Sequence, residues 1–448
     1  MKKNRFVLAF TTLMLLFISC VFSAAAEDQV SALSREGYTL GQVVILSRHN
    51  IRSPLSGGDS LLGTITPHEW FAWSSNPSEL SLQGGVLETE MGQYFRKWLE
   101  AEGLFPDNYH PEGPAVRIYA NSKQRTIATA RYFSAGLLPS VNSEVEYHMD
   151  FDTMDPVFTP QLTFTSEAYN EYAEAQIRAL FTGKIADLSD NYALITDVID
   201  MVDSKAYQAG TIGNFRVDDT VFILTEGAEP AMTGSLKTAC SVSDALVLQY
   251  YEEADPQKAA FGHRLTAEQW KEISEPKDVY VDALFTAPLV SVNVAHPLLQ
   301  EIRAELTAGG RVFSFLCGHD SNLASVLAAL DVTEYELPQA IENKTPIGSK
   351  LVFGKWLSPD GAVWWSLDLV YQTTEQMRGL SLLDLKNPPA VFHLALNGIE
   401  QNPDGLYAES ELLDRFDQSI QAYDRLIEDY TDTVPAEPEP AEAYAYAD

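Results

Sequence analysis

Cysteine is scarce in this chain, with three residues in 448, at positions 20, 240 and 317. So few cannot form a disulfide framework, and no Cys-x-x-Cys pair offers the spacing of a structural zinc or a dithiol redox site. Basic residues are also few: 30 Lys and Arg stand against 63 Asp and Glu, a net charge of −33. Capture of nucleic acid by bulk attraction requires the opposite sign, which excludes it as a partner. Beyond the first 26 residues no apolar run is long enough to span a membrane. There is no Gly-rich phosphate loop of the Walker or dinucleotide type, and no repeat at a fixed period. Core-forming residues are plentiful, at 46% hydrophobic and 11% aromatic against 21% charged, so disorder of the bulk is excluded. At about 150 residues per domain, the length allows two or three domains or one large core with an insertion.

The amino terminus reads as a processing segment. Lys2, Lys3 and Arg5 precede an apolar run from Phe6 to Phe22, and Ala24-Ala25-Ala26 precede Glu27, the layout of a secretory signal peptide cleaved after Ala26. Lipid attachment at Cys20 fits its flanks poorly, and a membrane anchor would be short. Removal of residues 1–26 takes three basic residues and no acid, leaving 27 basic residues and a net charge of −36. It also leaves Cys240 and Cys317, whose simplest reading is two free thiols. A periplasmic or secreted location follows as an expectation. At the other end, residues 431–448 hold Pro435, Pro438, Pro440, five acids and no base, a composition that predicts a disordered tail.

Between these ends the pattern predicts an α/β fold: a layered α/β domain with a central mixed sheet plus a mainly helical inserted domain. Gln42 to Leu46 is a continuous apolar, β-branched run, the mark of a strand buried on both faces. Val116–Ala120, 311–317, 350–356, 363–371 and 390–396 read as further strands. Residues 85–102 and 124–137 read as amphipathic helices. From about 140 to 306 helical patterns dominate, at 167–181, 191–202, 241–253 and 282–306. The expected boundaries are therefore 27–139 with 307–430 for the α/β domain and 140–306 for the insertion, and 321–330 reads as a helix of the former.

Chemistry-bearing residues cluster after strands. Arg48-His49-Asn50-Ile51-Arg52-Ser53-Pro54 follows the first strand, at the end where open α/β sheets bind ligands. Guanidinium groups match phosphate oxygens, and their charge keeps a neighbouring imidazole neutral and nucleophilic. After the strand ending at Cys317 comes Gly318-His319-Asp320. Here Asp320 is either a helix cap or a general acid whose proton a bound anion helps retain. Arg125 stands at the turn into the helix after the second strand, where helix N–H groups could join it in holding an anion. The other histidines show no metal-ligand spacing.

The stretch from Arg48 to Pro54 resembles the Arg-His-x-x-Arg-x-Pro signature of the histidine acid phosphatases, and Gly318-His319-Asp320 resembles their distal His-Asp pair. With Asn50, Ala120-Asn121-Ser122, Gln124-Arg125-Thr126, Thr153-Met154-Asp155-Pro156 and Thr345-Pro346-Ile347-Gly348, the chain is most similar to the periplasmic glucose-1-phosphatase branch, from about Tyr38 to Asp417. The resemblance implies His49 as the nucleophile and Asp320 as the proton donor. It implies Arg48, Arg52, Arg125 and His319 as phosphate ligands, Glu229 beside the substrate pocket, and neither metal nor organic cofactor. The implied partner is a small phosphorylated substrate, a sugar phosphate such as glucose 1-phosphate or else an inositol phosphate. A non-catalytic binding protein for phosphorylated sugars would need the arginines but neither His49 nor Asp320. The oligomeric state is left open, as is pairing of Cys240 with Cys317.

Overall fold

A computed structural model describes residues 32–56 and 60–431. The expected signal segment with Cys20 lies outside the described residues, as does the expected tail after Thr431. Seven strands form the main sheet: β1 (Thr39–Arg48), β2 (Val116–Ala120), β5 (Phe313–Gly318), β6 (Lys350–Leu357), β7 (Val363–Tyr371), β8 (Ala390–His393) and the two-residue β9 (Tyr407–Ala408). Their order is β2-β5-β1-β6-β7-β8, with β9 on β7. The first three run parallel and the rest antiparallel, giving a mixed sheet.

Helices cover both sheet faces. Val43 and Ile45 of β1 pack with α1 (Leu82–Ala101) and α2 (Gln124–Leu137), through residues such as Phe95, Trp98 and Phe133. Val44 and Leu46 point the other way, into α7 (Pro288–Leu306), α8 (Asp320–Ala329) and α9 (Glu409–Tyr430). Period-two alternation thus feeds two cores from one strand, which is why the strand reads as unbroken apolar sequence. Each fully buried Val, Leu or Ile here contributes about 1.5–3 kcal/mol relative to exposure.

The middle of the chain holds α3 (Glu167–Ala186), α4 (Ser189–Val198), α5 (Ser235–Glu252) and α6 (Ala267–Phe285), with a small hairpin of β3 (Val221–Ile223) and β4 (Ala231–Thr233). They form two further apolar cores, and α6 contributes to both: Trp270 and Ile273 to one, Val279, Ala283 and Leu284 to the other. The single helix expected over 282–306 is instead two, bent by 84° at Thr286 and Ala287. Pro288 explains the break, because the residue before a proline is pushed out of the helical region, and Ala287 has ψ 136°. No single described helix is long and apolar enough to cross a membrane. Both Cys317, inside the sheet, and the half-buried Cys240 of α5 are free thiols, not a disulfide.

Candidate active site

Parallel pairing brings three strand ends to one level. Arg48 of β1 pairs with Gly318 of β5, and Ala120 of β2 with Cys317. The next residues extend the ladder: His49 N–H donates to the Gly318 carbonyl at 3.0 Å and Asn121 N–H to the Cys317 carbonyl at 2.9 Å. The Arg48–Arg52, Asn121–Arg125 and His319–Asp320 segments therefore leave the sheet side by side. Close approach requires glycine at two points. A Cβ on Gly318 would lie 2.4 Å from Asn322 Oδ1, and one on Gly84 of α1 would lie 2.3 Å from the Ile51 carbonyl oxygen.

His49 is held in one tautomer. Its Nδ1 is 2.8 Å from the Asn50 carbonyl, which can only accept, so the proton sits on Nδ1 and Nε2 keeps its lone pair. Nε2 has no hydrogen bond among the described residues, and the ring lines a cavity of about 380 Å³. Asn50 is itself fixed on three sides. Its N–H donates to Thr129 Oγ1 at 3.1 Å, its Nδ2 to Glu88 Oε2 at 2.8 Å, and its Oδ1 accepts the Ile51 N–H at 2.9 Å. Glu88 pairs with Lys350 at 2.8 Å, both fully buried; breaking such a pair strands a charge at a cost of about 3–5 kcal/mol. Burial, then the charges of Arg125, His319, Arg52 and Arg48, hold the His49 pKa well below its ordinary value. Both causes favour the neutral imidazole.

Cations crowd the same cavity. Arg52 donates to Asp244 Oδ2 at 3.0 Å. Arg125 has a buried Nε without a partner, and burial followed by repulsion from Arg52 pushes its pKa down to about 10. The Asp155 N–H donates to Asn121 Oδ1 at 2.9 Å, which turns Asn121 Nδ2 toward His319 Nε2 at 2.7 Å. His319 Nε2 thus accepts, and its proton lies on Nδ1, 3.4 Å from Arg125 Nη2. Two donors face each other there, and one acceptor oxygen would serve both. The α2 N–H groups expected to assist are less free: the first, on Gln124, already donates to Asp152 Oδ1 at 3.2 Å.

Arg48 stands behind the cavity wall, 1% exposed. Its Nη1 donates to Glu342 Oε1 at 2.8 Å and to the Thr345 carbonyl at 2.5 Å, and its Nη2 lies 3.3 Å from Asp320 Oδ2. Its Nε is buried without a partner. Asp320 opens α8, with His319 as the cap residue. Its Oδ1 accepts the Ser321 N–H at 3.0 Å, and Lys277 Nζ of α6 also lies 3.3 Å from its Oδ2. Burial pushes the Asp320 carboxyl up, but Arg48 and Lys277 outweigh it and hold the group well below the carboxylate range. A bound anion would help Asp320 retain its proton, and the two cations act in the opposite direction.

The far wall came from residues outside any motif. Asp244, Lys237 and the half-buried Cys240 lie on α5, Lys277 on α6, and Glu229 in the turn between β3 and β4, all lining the cavity with His49, Arg52, Arg125, His319 and Asp320. Glu229 is reachable by solvent at the rim, where the surrounding protein and then the Asp320 charge hold its carboxyl above its ordinary pKa. The structure thus brings together every site residue read from the sequence, with Arg48 one layer back. A neutral imidazole with a free lone pair, unpaired cationic donors and a carboxyl beside them suit attack on a tetrahedral oxyanion ester.

Comparison with known proteins agrees with this chemistry. Residues 39–369 match the model of the histidine phosphatase superfamily, branch 2. The chain is 37% identical over 424 residues to the glucose-1-phosphatase of Salmonella typhimurium, covering 93% of this chain and 98% of that one. It is 34% identical over 402 residues to the glucose-1-phosphatase of Providencia rettgeri, covering 88% and 95%. Among solved structures, the phytase of Citrobacter braakii superposes with a TM-score of 0.77 at 26% identity, covering 86% of this chain and 98% of that one. The chain belongs to the histidine phosphatase superfamily, branch 2, and is a histidine acid phosphatase.

Proposed function

We propose that this enzyme hydrolyses the monophosphate esters of sugars, with glucose 1-phosphate as the type substrate, through a phosphohistidine on His49. The observation that carries the reading is the His49 imidazole, its Nδ1–H spent on the Asn50 carbonyl and its Nε2 lone pair facing a cavity ringed by Arg52, Arg125 and His319. The phosphoryl oxygens bind to Arg52, Arg125 and the His319 Nδ1–H, with Arg48 adding its charge from behind. His49 Nε2 attacks phosphorus in line, the ester P–O bond breaks with its electron pair, and Asp320 gives its proton to the departing alkoxide. Water then attacks phosphorus, Asp320 takes the water's proton, the P–N bond breaks with its electron pair returning to His49 Nε2, and inorganic phosphate leaves. The binding of a phosphate dianion beside Asp320 raises its pKa toward the range in which it can donate. The arginines supply the charge stabilisation that phosphoryl transfer demands.

Two observations favour a neutral sugar over a polyphosphorylated inositol. Lys277 is spent on carboxylates, so among the described residues Lys237 is the lining cation left beyond the phosphate site. Glu229 at the rim would repel a second phosphate and can accept from sugar hydroxyls instead. The two curated relatives named above act, by their names, on glucose 1-phosphate. Export to the periplasm or outside the cell, by the segment at residues 1–26, belongs to the same proposal.

The test is phosphate release from glucose 1-phosphate and from phytate, with chelator present, at mildly acidic pH. Faster release from glucose 1-phosphate, with an acid-labile and base-stable phosphoenzyme absent from His49→Ala, is expected. Preferential phytate hydrolysis would move the enzyme to the inositol branch. Turnover that survives His49→Ala would overturn the mechanism.

A further inference from the structure

Lys277 was invisible to sequence reasoning, yet its ammonium has a central position. It lies 3.3 Å from Asp320 Oδ2, 3.3 Å from Glu342 Oε1 and 3.6 Å from Asp244 Oδ1. Each of these carboxylates also holds an arginine: Arg48 for Asp320 and Glu342, Arg52 for Asp244. The residue is only 7% exposed. Burial lowers its pKa, but Glu342, Asp320 and Asp244 more than reverse this, so it stays charged. Its helix is clamped on both sides, by Trp270 and Ile273 in one core and Val279 and Ala283 in another, and Glu342 is further pinned by the Ile347 N–H at 3.0 Å. A buried lysine held this firmly has little conformational freedom left to lose.

We propose that Lys277 is a positioning residue for the proton donor: anchored by Glu342 and Asp244, it fixes the Asp320 carboxyl at the cavity wall and sets the pH range over which that carboxyl protonates the leaving group. The proposal rests on Asp320 being the donor. Arg48 shares the task, but it is tied into the sheet end that builds the phosphate site, whereas Lys277 enters from the helical wall. The other groups facing Asp320 are His49, Arg52, Arg125 and His319 from the sheet side, Asp244 and Cys240 of α5, Tyr280 of α6, Glu229 of the hairpin turn and Glu342. The carboxylates among them oppose deprotonation of Asp320, so without Lys277 they would act on it less opposed.

A general acid works while protonated, so raising the Asp320 pKa carries the basic limb of kcat to higher pH. Removing a neighbouring cation raises a carboxyl by about 1–3 units. Lys277→Gln should therefore shift that limb upward by about one pH unit or more, and lower kcat for glucose 1-phosphate by about tenfold through misplacement. The loss with p-nitrophenyl phosphate, whose leaving group needs little protonation, should stay within about threefold. Lys277→Arg keeps the cation and should keep the limb within about 0.3 unit of the wild-type position. A rise in KM alone, equal for both substrates with the limb unmoved, would overturn the proposal by making Lys277 a substrate-binding cation. A limb that moves in Lys277→Arg, with charge retained, would overturn it as well, even if the glutamine variant did not fold. Asp320→Asn keeps the underlying reading separate: in single turnover, before the shared hydrolysis step in which Asp320 takes the water's proton, equal slowing of phosphoenzyme formation from both substrates would mean that Asp320 is not the donor, whatever Lys277 did.

Discussion

The two walls of the active cavity are built by opposite means. The sheet wall takes Arg48, His49, Arg52, Arg125, His319 and Asp320 from three short segments that follow adjacent parallel strands. The helical wall and the loop behind it take Asp244, Lys277, Glu229 and Glu342 from four places more than ten residues apart. Charge differs too. Excess cation on the sheet side is answered by carboxylates from the other: Asp244 on Arg52 and Glu342 on Arg48. The difference teaches that the sheet wall carries the reaction, while the helical wall moderates its charge and shapes what enters. Variants on each side should fail in different ways.

The largest effect is expected on the sheet wall. His49→Ala removes the only imidazole nitrogen placed to form the covalent intermediate, and kcat should fall by about 10⁴-fold or more, the scale seen when a nucleophile is lost. Phosphate binding should survive, because Arg52, Arg125 and His319 remain. Turnover by stopped assay and phosphate affinity by calorimetry separate the two. Glu229→Gln, across the cavity, should change kcat/KM for sugar phosphates only several-fold while leaving p-nitrophenyl phosphate near wild type. If Glu229→Gln were as damaging as His49→Ala, the division of labour between the walls would be wrong.

The same contrast explains what could be read from sequence. His49, Arg52, His319 and Asp320 were legible because a strand end forces consecutive residues into one site, so the chemistry is contiguous. Strands 116–120 and 363–371 and helix 124–137 were legible to the residue, since apolar periodicity and turn residues agree there. Lys277 was not legible: it lies outside every helix expected from the sequence, and only the packing of α6 between two cores turns it inward. Asp244 and Glu342 are hidden because their partners lie 192 and 294 residues away. Helix α9 was missed because its many acids obscured the stripe of Leu412, Phe416 and Leu426 that it buries. Most of α6 was missed likewise, since Pro276 falls inside it. One clue existed for the second layer: Thr345-Pro346-Ile347-Gly348 resembles a stretch of the glucose-1-phosphatase branch, and its Thr345 carbonyl accepts from Arg48.

A change of intermediate size should come from weakening the moderation itself. Asp244→Asn releases Arg52 from its 3.0 Å partner and removes one anion from beside the phosphate site. Inorganic phosphate should then inhibit more strongly, its Ki falling by about three- to tenfold, equivalent to about 0.7–1.4 kcal/mol. Added salt should shrink the difference only slightly, because the pair is mostly buried. A weaker inhibition would mean that Asp244 orients Arg52 more than it competes for it, and the helical wall would then share in building the phosphate site.

The smallest expected effect concerns stability, and it tests whether the helical wall carries a cost that the sheet wall does not. Asp278 follows Lys277 on α6, and burial pushes its carboxyl up to about 7, against the pull of the Asn343 N–H at 3.0 Å and with further push from Glu342. In the unfolded chain the group returns to its ordinary 3.8. Between those values the native protein holds a proton that the unfolded chain has released, so stability falls as pH rises from about 4 to about 7 and then levels off. Asparagine keeps the acceptor for Asn343 and cannot ionise. Asp278→Asn should therefore match wild type in thermal unfolding near pH 4 and exceed it by about 1–3 °C near pH 8. An equal shift at both pH values would mean that the gain came from packing. A loss at pH 8 would show that the charged form of Asp278 is stabilised by Lys277, which would tie the two neighbours into one electrostatic unit behind Asp320.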